Sequence, residues 1–441
     1  MRGLCPRLPL RRLLLLLLFC CGWGPSGPAA AQTPAPGAWP AGESGPVVAI
    51  GGALSADNTE VWQRLVQLAG GPGACYAVLT TAAADPDASA AAAQANLQRH
   101  GASTVHLRIG PRIAGQDTAA AVRDAGWIAK LLSCRGVYMT GGAQARLLDV
   151  LMPQGRASPL LDAMAQLWRA GGVVAGSSAG TAVLSQRVFR SAPDPLAVMK
   201  GRLREGQEWS QGFGFVASGV IVDQHAVRRG RAGRLLPLML LTGAPLGLGI
   251  EEDSAAIFHG QTVEVIGARG VLVADLSQAS TDPQLGAFNL RGGTLHWLES
   301  GDRFDLQTRQ VLASASKRSG RWLQPLSAGH KGYFEGKLAF NDILGDSMLI
   351  KAMSRLVDSD QKELRGLAFA ARPEADDSAP TLAFEWRLWV DGETQAWLKL
   401  NPEAYTVIGV KLDIVPQRLQ QPLLSPWAHP APLASRATPS P

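Results

Sequence analysis

Residues 47–50 (VVAI), 75–80, 104–109, 137–140 and 172–175 read as short strands, most of them apolar runs. Between them, segments at 61–68, 88–100, 118–132, 143–152 and 159–169 carry apolar side chains at helical spacing. This alternation is the strongest constraint on the fold. Strands separated by helices pair in parallel, and the crossovers cover both faces of the sheet. The expected core is therefore α/β: a mostly parallel, doubly wound sheet with helices on both faces. In such sheets ligands collect beyond the C-terminal strand ends. Two glycine-bearing turns fall there, Thr140-Gly141-Gly142 and Gly176-Ser177-Ser178-Ala179-Gly180.

The pattern changes along the chain. After residue 213, runs at 216–222, 247–251, 255–258 and 262–266 are expected to add an antiparallel edge to the same sheet. Residues 381–390 and 405–415 partly alternate apolar with polar residues, so residues 328–415 are expected to form a small β-rich C-terminal unit behind a catalytic region at 46–327. Residues 416–441 hold seven prolines and are expected to be a disordered tail. At the other end, Arg2, Arg7, Arg11 and Arg12 precede an apolar run ending at Cys21, and Ala29-Ala30-Ala31 follows. This reads as a secretory signal over residues 1–31, with a Pro/Gly/Ala-rich linker at 32–45. Export to the periplasm or the medium is the expectation.

Removing that signal leaves 38 basic against 36 acidic side chains, so the basic balance of the whole chain is mostly a property of its leader. No clustered basic face argues for nucleic acid. Nor is there a second apolar stretch long enough to span a bilayer. Cys75 and Cys134 remain, either paired, as an oxidising compartment permits, or buried as free thiols.

Gly176–Gly180 sits between an apolar run and a helix-competent segment, the setting a nucleophile elbow needs. Ser178 is the candidate nucleophile, and the N–H of Ala179 a candidate oxyanion donor. Among the histidines, His225 ends the run VASGVIV within Asp223-Gln224-His225, beside other strand ends, and is the candidate base. Arg228, Arg229, Arg231 and Arg234 follow it, either as a solvated face or as forks for an acidic substrate. In Thr140-Gly141-Gly142-Ala143-Gln144, a glycine N–H, chosen as that of Gly142, is a second oxyanion candidate.

On these motifs, together with Gly51-Gly52-Ala53-Leu54-Ser55, GLGIEEDSAAI at 247–257 and GDRFDL at 301–306, the chain resembles the cyanophycinase-like serine peptidases. That group is close to dipeptidase E within the class I glutamine-amidotransferase-like fold. The resemblance implies hydrolysis of cyanophycin, a poly-aspartate with arginine on each side-chain carboxyl, to β-Asp-Arg dipeptides. It also implies a homodimer, and no metal or other cofactor. It makes Ser178 the nucleophile and His225 the base, with Gln144, Asp223, Gln224, Arg229, Arg231 and Arg234 lining the substrate site. The acidic third member is sought between Ser178 and His225, where Asp194 is chosen. The Glu251-Glu252-Asp253 run is read as a strand end in preference to a site. The residue after Asp-Gln-His, often aromatic in the family, is Ala226 here, which is expected to remove one wall of the pocket. An exported aspartyl or isoaspartyl dipeptidase and a non-catalytic polymer-binding homologue are the competing readings.

Overall fold

The computed structural model describes residues 44–420 and Leu423; the signal segment, nearly all of the linker and most of the proline-rich tail lie outside the described residues. Strands β1 (Val47–Ile50), β2 (Cys75–Leu79), β3 (Ser103–Leu107), β4 (Gly136–Met139) and β5 (Val173–Ser177) lie parallel in the order β1-β5-β4-β2-β3. Val47 and Ala49 enter one apolar layer and Val48 the layer on the opposite face, as a sheet buried on both sides requires. Helices Thr59–Leu68 and Pro86–Arg99 cover the second face; Gln144–Leu151 and Pro159–Arg169 cover the first.

The helices start where polar side chains satisfy their first N–H groups. Asn58 accepts from Val61 N, and Asp85 and Ser158 cap helices whose first residues are Pro86 and Pro159. The helix expected over 118–132 is two. Asp117 caps Thr118–Ala121, and Asp124 accepts from Trp127 N to start a second, Ala125–Leu132. Cys75 opens β2 and Cys134 precedes the adjacent β4, and the two are joined as a disulfide.

A short ribbon, β6 (Arg187–Phe189) with β7 (Trp209–Gln211), precedes β8 (Val220–Gln224) and β9 (Leu246–Ile250). The first sheet is extended by β10 (Ser254–His259) and β11 (Thr262–Gly267), antiparallel from β1 as expected. In contrast, β8 and β9 do not join it. β10 occupies the edge of β1, whose N–H and C=O rows can pair only once. Instead β8 and β9 pair with each other in parallel and open a second sheet with β12 (Gly270–Asp275) and β13 (Leu290–Glu299). β14 (Arg303–Asp305) and β15 (Val311–Leu312) close the far edge of the first sheet.

The C-terminal region is β-rich. β16 (Arg321–Leu323) is followed by β17 (Ala339–Phe340), β18 (Glu363–Ala368), β19 (Leu382–Trp389), β20 (Gln395–Leu400) and β21 (Glu403–Arg418). Four of these strands continue the second sheet, in the order β17-β18-β19-β21-β13-β12-β9-β8, while β20 pairs with β21 and β16 with β20. Helices Ala232–Thr242 and Met348–Val357 pack Leu235, Leu238, Leu349, Met353 and Leu356 into the same core as Leu272, Trp386 and Leu412. The last strand runs to Arg418, into the start of the segment expected to be tail.

Candidate active site

The two sheets meet at the C-terminal end of β1. Three successive carbonyls there hold three separate segments. Ile50 O accepts from Ser178 N at 3.0 Å, Gly51 O from His225 N at 3.0 Å, and Gly52 O from Asp253 N at 2.9 Å. The parallel register places Ile50 beside Ser177, so the serine turn begins where β1 ends. Gly52 cannot be replaced without moving the site. At φ +100°, a Cβ there would lie 2.5 Å from the His225 ring and 3.0 Å from Ser178 Cβ. Gly180 is constrained by proximity, since a Cβ would sit 2.5 Å from Met139 O.

Ser178 lies at φ 51°, ψ −106°, between β5 and helix Ala179–Ala182. For a residue with a Cβ this is a strained backbone, the mark of a sharp strand-to-helix elbow. His225 is also left-handed, at φ 48°. The two bends bring Ser178 Oγ within 2.9 Å of His225 Nε2, and Glu252 Oε1 lies 2.6 Å from His225 Nδ1. Glu252 in turn accepts from Arg228 at 3.0 Å and has the Arg229 guanidinium 3.6 Å away. Glu251 fixes the turn behind the histidine by accepting from Val227 N at 2.6 Å and Arg228 N at 3.0 Å.

Burial holds the His225 pKa below its ordinary value; the Glu252 hydrogen bond works against this, and the charges of Arg229 and Arg231 add to it. Burial opposes ionisation of Glu252, yet the histidine and both neighbouring arginines keep its pKa below the usual range. The arrangement at neutral pH is a neutral imidazole between a hydroxyl and a carboxylate. Such a series can take a proton from the serine and stabilise the imidazolium that results.

Asp194 is a correction. Its carboxylate caps helix Pro195–Met199, accepting from Ala197 N at 2.9 Å, and the carboxylate on His225 is that of Glu252. Sequence reasoning missed Glu252, although the acidic run directly follows a strand. Asp223 and Arg234 are also not open to a ligand. Their side chains are 1% and 0% exposed and form a two-point pair, with Arg234 Nε 2.7 Å and Nη2 2.6 Å from the carboxylate. Arg231 is buried too and donates to Gln224 O at 2.8 Å; burial lowers its pKa to about 10.

Gln224 remains at the site, with Oε1 3.5 Å from Ser178 Oγ. Gln144 is buried and donates to Ser191 O at 2.8 Å, tying the segment before Asp194 to the Gly141-Gly142 turn. Arg229 is half exposed and lines a cavity. Gly141 stands nearest the nucleophile, since a Cβ there would lie 3.8 Å from Ser178 Oγ, whereas Gly142 packs against Ala82 O. Ala226 is buried and packs against β9, where a Cβ on Gly249 would meet it at 2.7 Å.

The buried pair sets a stability prediction. Asp223→Ala strands the Arg234 cation in the core and is expected to cost about 3–5 kcal/mol by chemical denaturation, whereas exchanging both for apolar residues of similar volume should cost much less.

A serine, an imidazole and a carboxylate in hydrogen-bonded series at α/β strand ends define the class of serine hydrolases. Residues 47–266 match the model of peptidase family S51. The cyanophycinase of Synechococcus elongatus is 31% identical over 282 residues, covering 61% of this chain and 82% of the relative. That of Geminocystis herdmanii is 31% identical over 280 residues, covering 60% and 96%. A crystal structure of a peptidase from an acI-B1 Actinobacterium aligns at a TM-score of 0.44 with 21% identity, over 59% of this chain and 97% of that one. The chain belongs to peptidase family S51 and is a serine-type peptidase.

Proposed function

We propose that the chain is an exported exopeptidase that hydrolyses cyanophycin to β-Asp-Arg dipeptides through an acyl-enzyme on Ser178. The observation that carries the mechanism is the 2.9 Å contact of Ser178 Oγ with His225 Nε2, backed by Glu252 at 2.6 Å. Relatives named cyanophycinase support the substrate. Because the β-amide to arginine survives in the product, the bond that breaks is the backbone amide between successive aspartates. His225 Nε2 takes the Ser178 proton as Oγ adds to that carbonyl. The N–H of Ala179, in the first helical turn where such groups lack intrahelical partners, meets the oxyanion with a glycine N–H of the Gly141-Gly142 turn. His225 then protonates the departing amine, and water takes the same route in reverse to free the acid.

Export is supported by the leader-like residues 1–31 and by the Cys75–Cys134 bond, which suits an oxidising compartment. Among the described residues, no helix is long and apolar enough to cross a membrane. A homodimer belongs to the same proposal. The test is mass spectrometry of the products from insoluble cyanophycin, beside a Ser178→Ala control. Release of β-Asp-Arg by the unaltered chain alone supports the reading, and release by neither moves it to short isoaspartyl peptides.

The base must be neutral to act. With the pKa of His225 lowered, the acidic limb of kcat/KM is expected to fall below the ordinary histidine value of about 6.5. Arg229 helps to disfavour the imidazolium, so Arg229→Gln is expected to move that limb to higher pH. A pH–rate profile of both proteins checks the direction.

A further inference from the structure

A cavity of about 490 Å³ lies between the catalytic region and the C-terminal segment. Residues 194–202 and Arg229 form one wall; residues 342–344 and 368–378 form the other. It adjoins the triad through Arg229, whose guanidinium stands 3.6 Å from Glu252. The walls are tied together by Lys200 Nζ, which lies 2.6 Å from Asp377 Oδ2, with side chains 3% and 14% exposed. A volume in the range of small-ligand pockets, roughly 300–1,000 Å³, makes the cavity large enough for one dipeptide-sized unit.

Its charges are of both signs. Arg202 and Arg372 supply guanidiniums, and Asp342, Glu374 and Asp376 supply carboxylates. These are complementary to a unit carrying a guanidinium and a carboxylate together. We propose that this cavity is a subsite for an aspartyl-arginine unit neighbouring the one being cleaved. Asp342, Glu374 and Asp376 take its guanidinium, and Arg202 and Arg372 take its carboxylate. The inference rests on the substrate proposed above. It adds that the C-terminal segment, which lies outside the residues matched to the family, forms part of the substrate site.

The test uses the full chain carrying Ser178→Ala, titrated calorimetrically with β-Asp-Arg dipeptide, beside the same chain with Asp342→Asn, Glu374→Gln and Asp376→Asn. All three acids lie at exposed positions, and an unchanged melting temperature verifies that the exchanges spare the fold. The expected result is a Kd at least tenfold weaker. In the active chain, the same exchanges are expected to raise KM for cyanophycin about tenfold while kcat changes less than twofold. Absence of dipeptide binding, an unchanged Kd, or a loss confined to kcat overturns the subsite. Weakened dipeptide binding in a chain that leaves cyanophycin intact upholds the zwitterion site while removing the proposed polymer substrate.

Discussion

Replacing Ser178 with alanine is expected to lower kcat for β-Asp-Arg release by roughly 10⁵-fold or more, since the acyl-enzyme route then has no nucleophile. Any residual acceleration over water would come from binding and the oxyanion donors. Stability should hardly change. Alanine keeps the Cβ and therefore the strain of φ 51°, and the exchange removes only a hydroxyl bonded to His225. Ser178→Gly separates the two properties: it should be equally inactive yet more stable, because glycine adopts positive φ without penalty. Release rates by chromatography and denaturation midpoints read both effects. Retained turnover in either variant would remove Ser178 from the mechanism.

The parallel half of the fold was legible because β1, β2 and β4 are short apolar runs separated by helix-period segments, the composition of strands buried on both faces, whereas the edge strand β3 (STVHL) is only partly buried. The elbow was legible for a related reason, since small residues surround Ser178 where β5 must turn sharply into a helix. The second sheet was not. Whether β8 adds to β1 or to β9 depends on which strand occupies the edge of β1, and that is a tertiary outcome. The same ignorance hid Glu252. Gln224 lies opposite Ile250 in the register of β8 and β9, so the residues that follow the two strands converge. Each strand's polar ending was visible, Asp-Gln-His after one and Glu-Glu-Asp after the other, but their adjacency was not. Burial of Asp223, Arg231 and Arg234 misled the reading in the opposite direction. Charged residues are almost never fully buried unless paired, so their place in the core cannot be read from residue type.

Glu252→Gln is expected to reduce kcat by on the order of 10⁴-fold without unfolding the chain. An amide of nearly the same shape can donate to His225 Nδ1, which leaves the ring proton on Nε2, the nitrogen that has to accept from Ser178. It also cannot offset the positive charge that His225 acquires as the serine attacks. Because Glu252 favours the protonated imidazole, its removal should carry the residual acidic limb to still lower pH, opposite to the shift expected for Arg229→Gln. The corresponding exchange at Asp194 keeps an oxygen to accept from Ala197 N, and is expected to leave kcat within about twofold. Measuring kcat and the pH profile of both variants decides between the two carboxylates. A collapse with Asp194→Asn beside near-normal turnover with Glu252→Gln would mean that the working site rearranges, since only Glu252 reaches the imidazole in the geometry described.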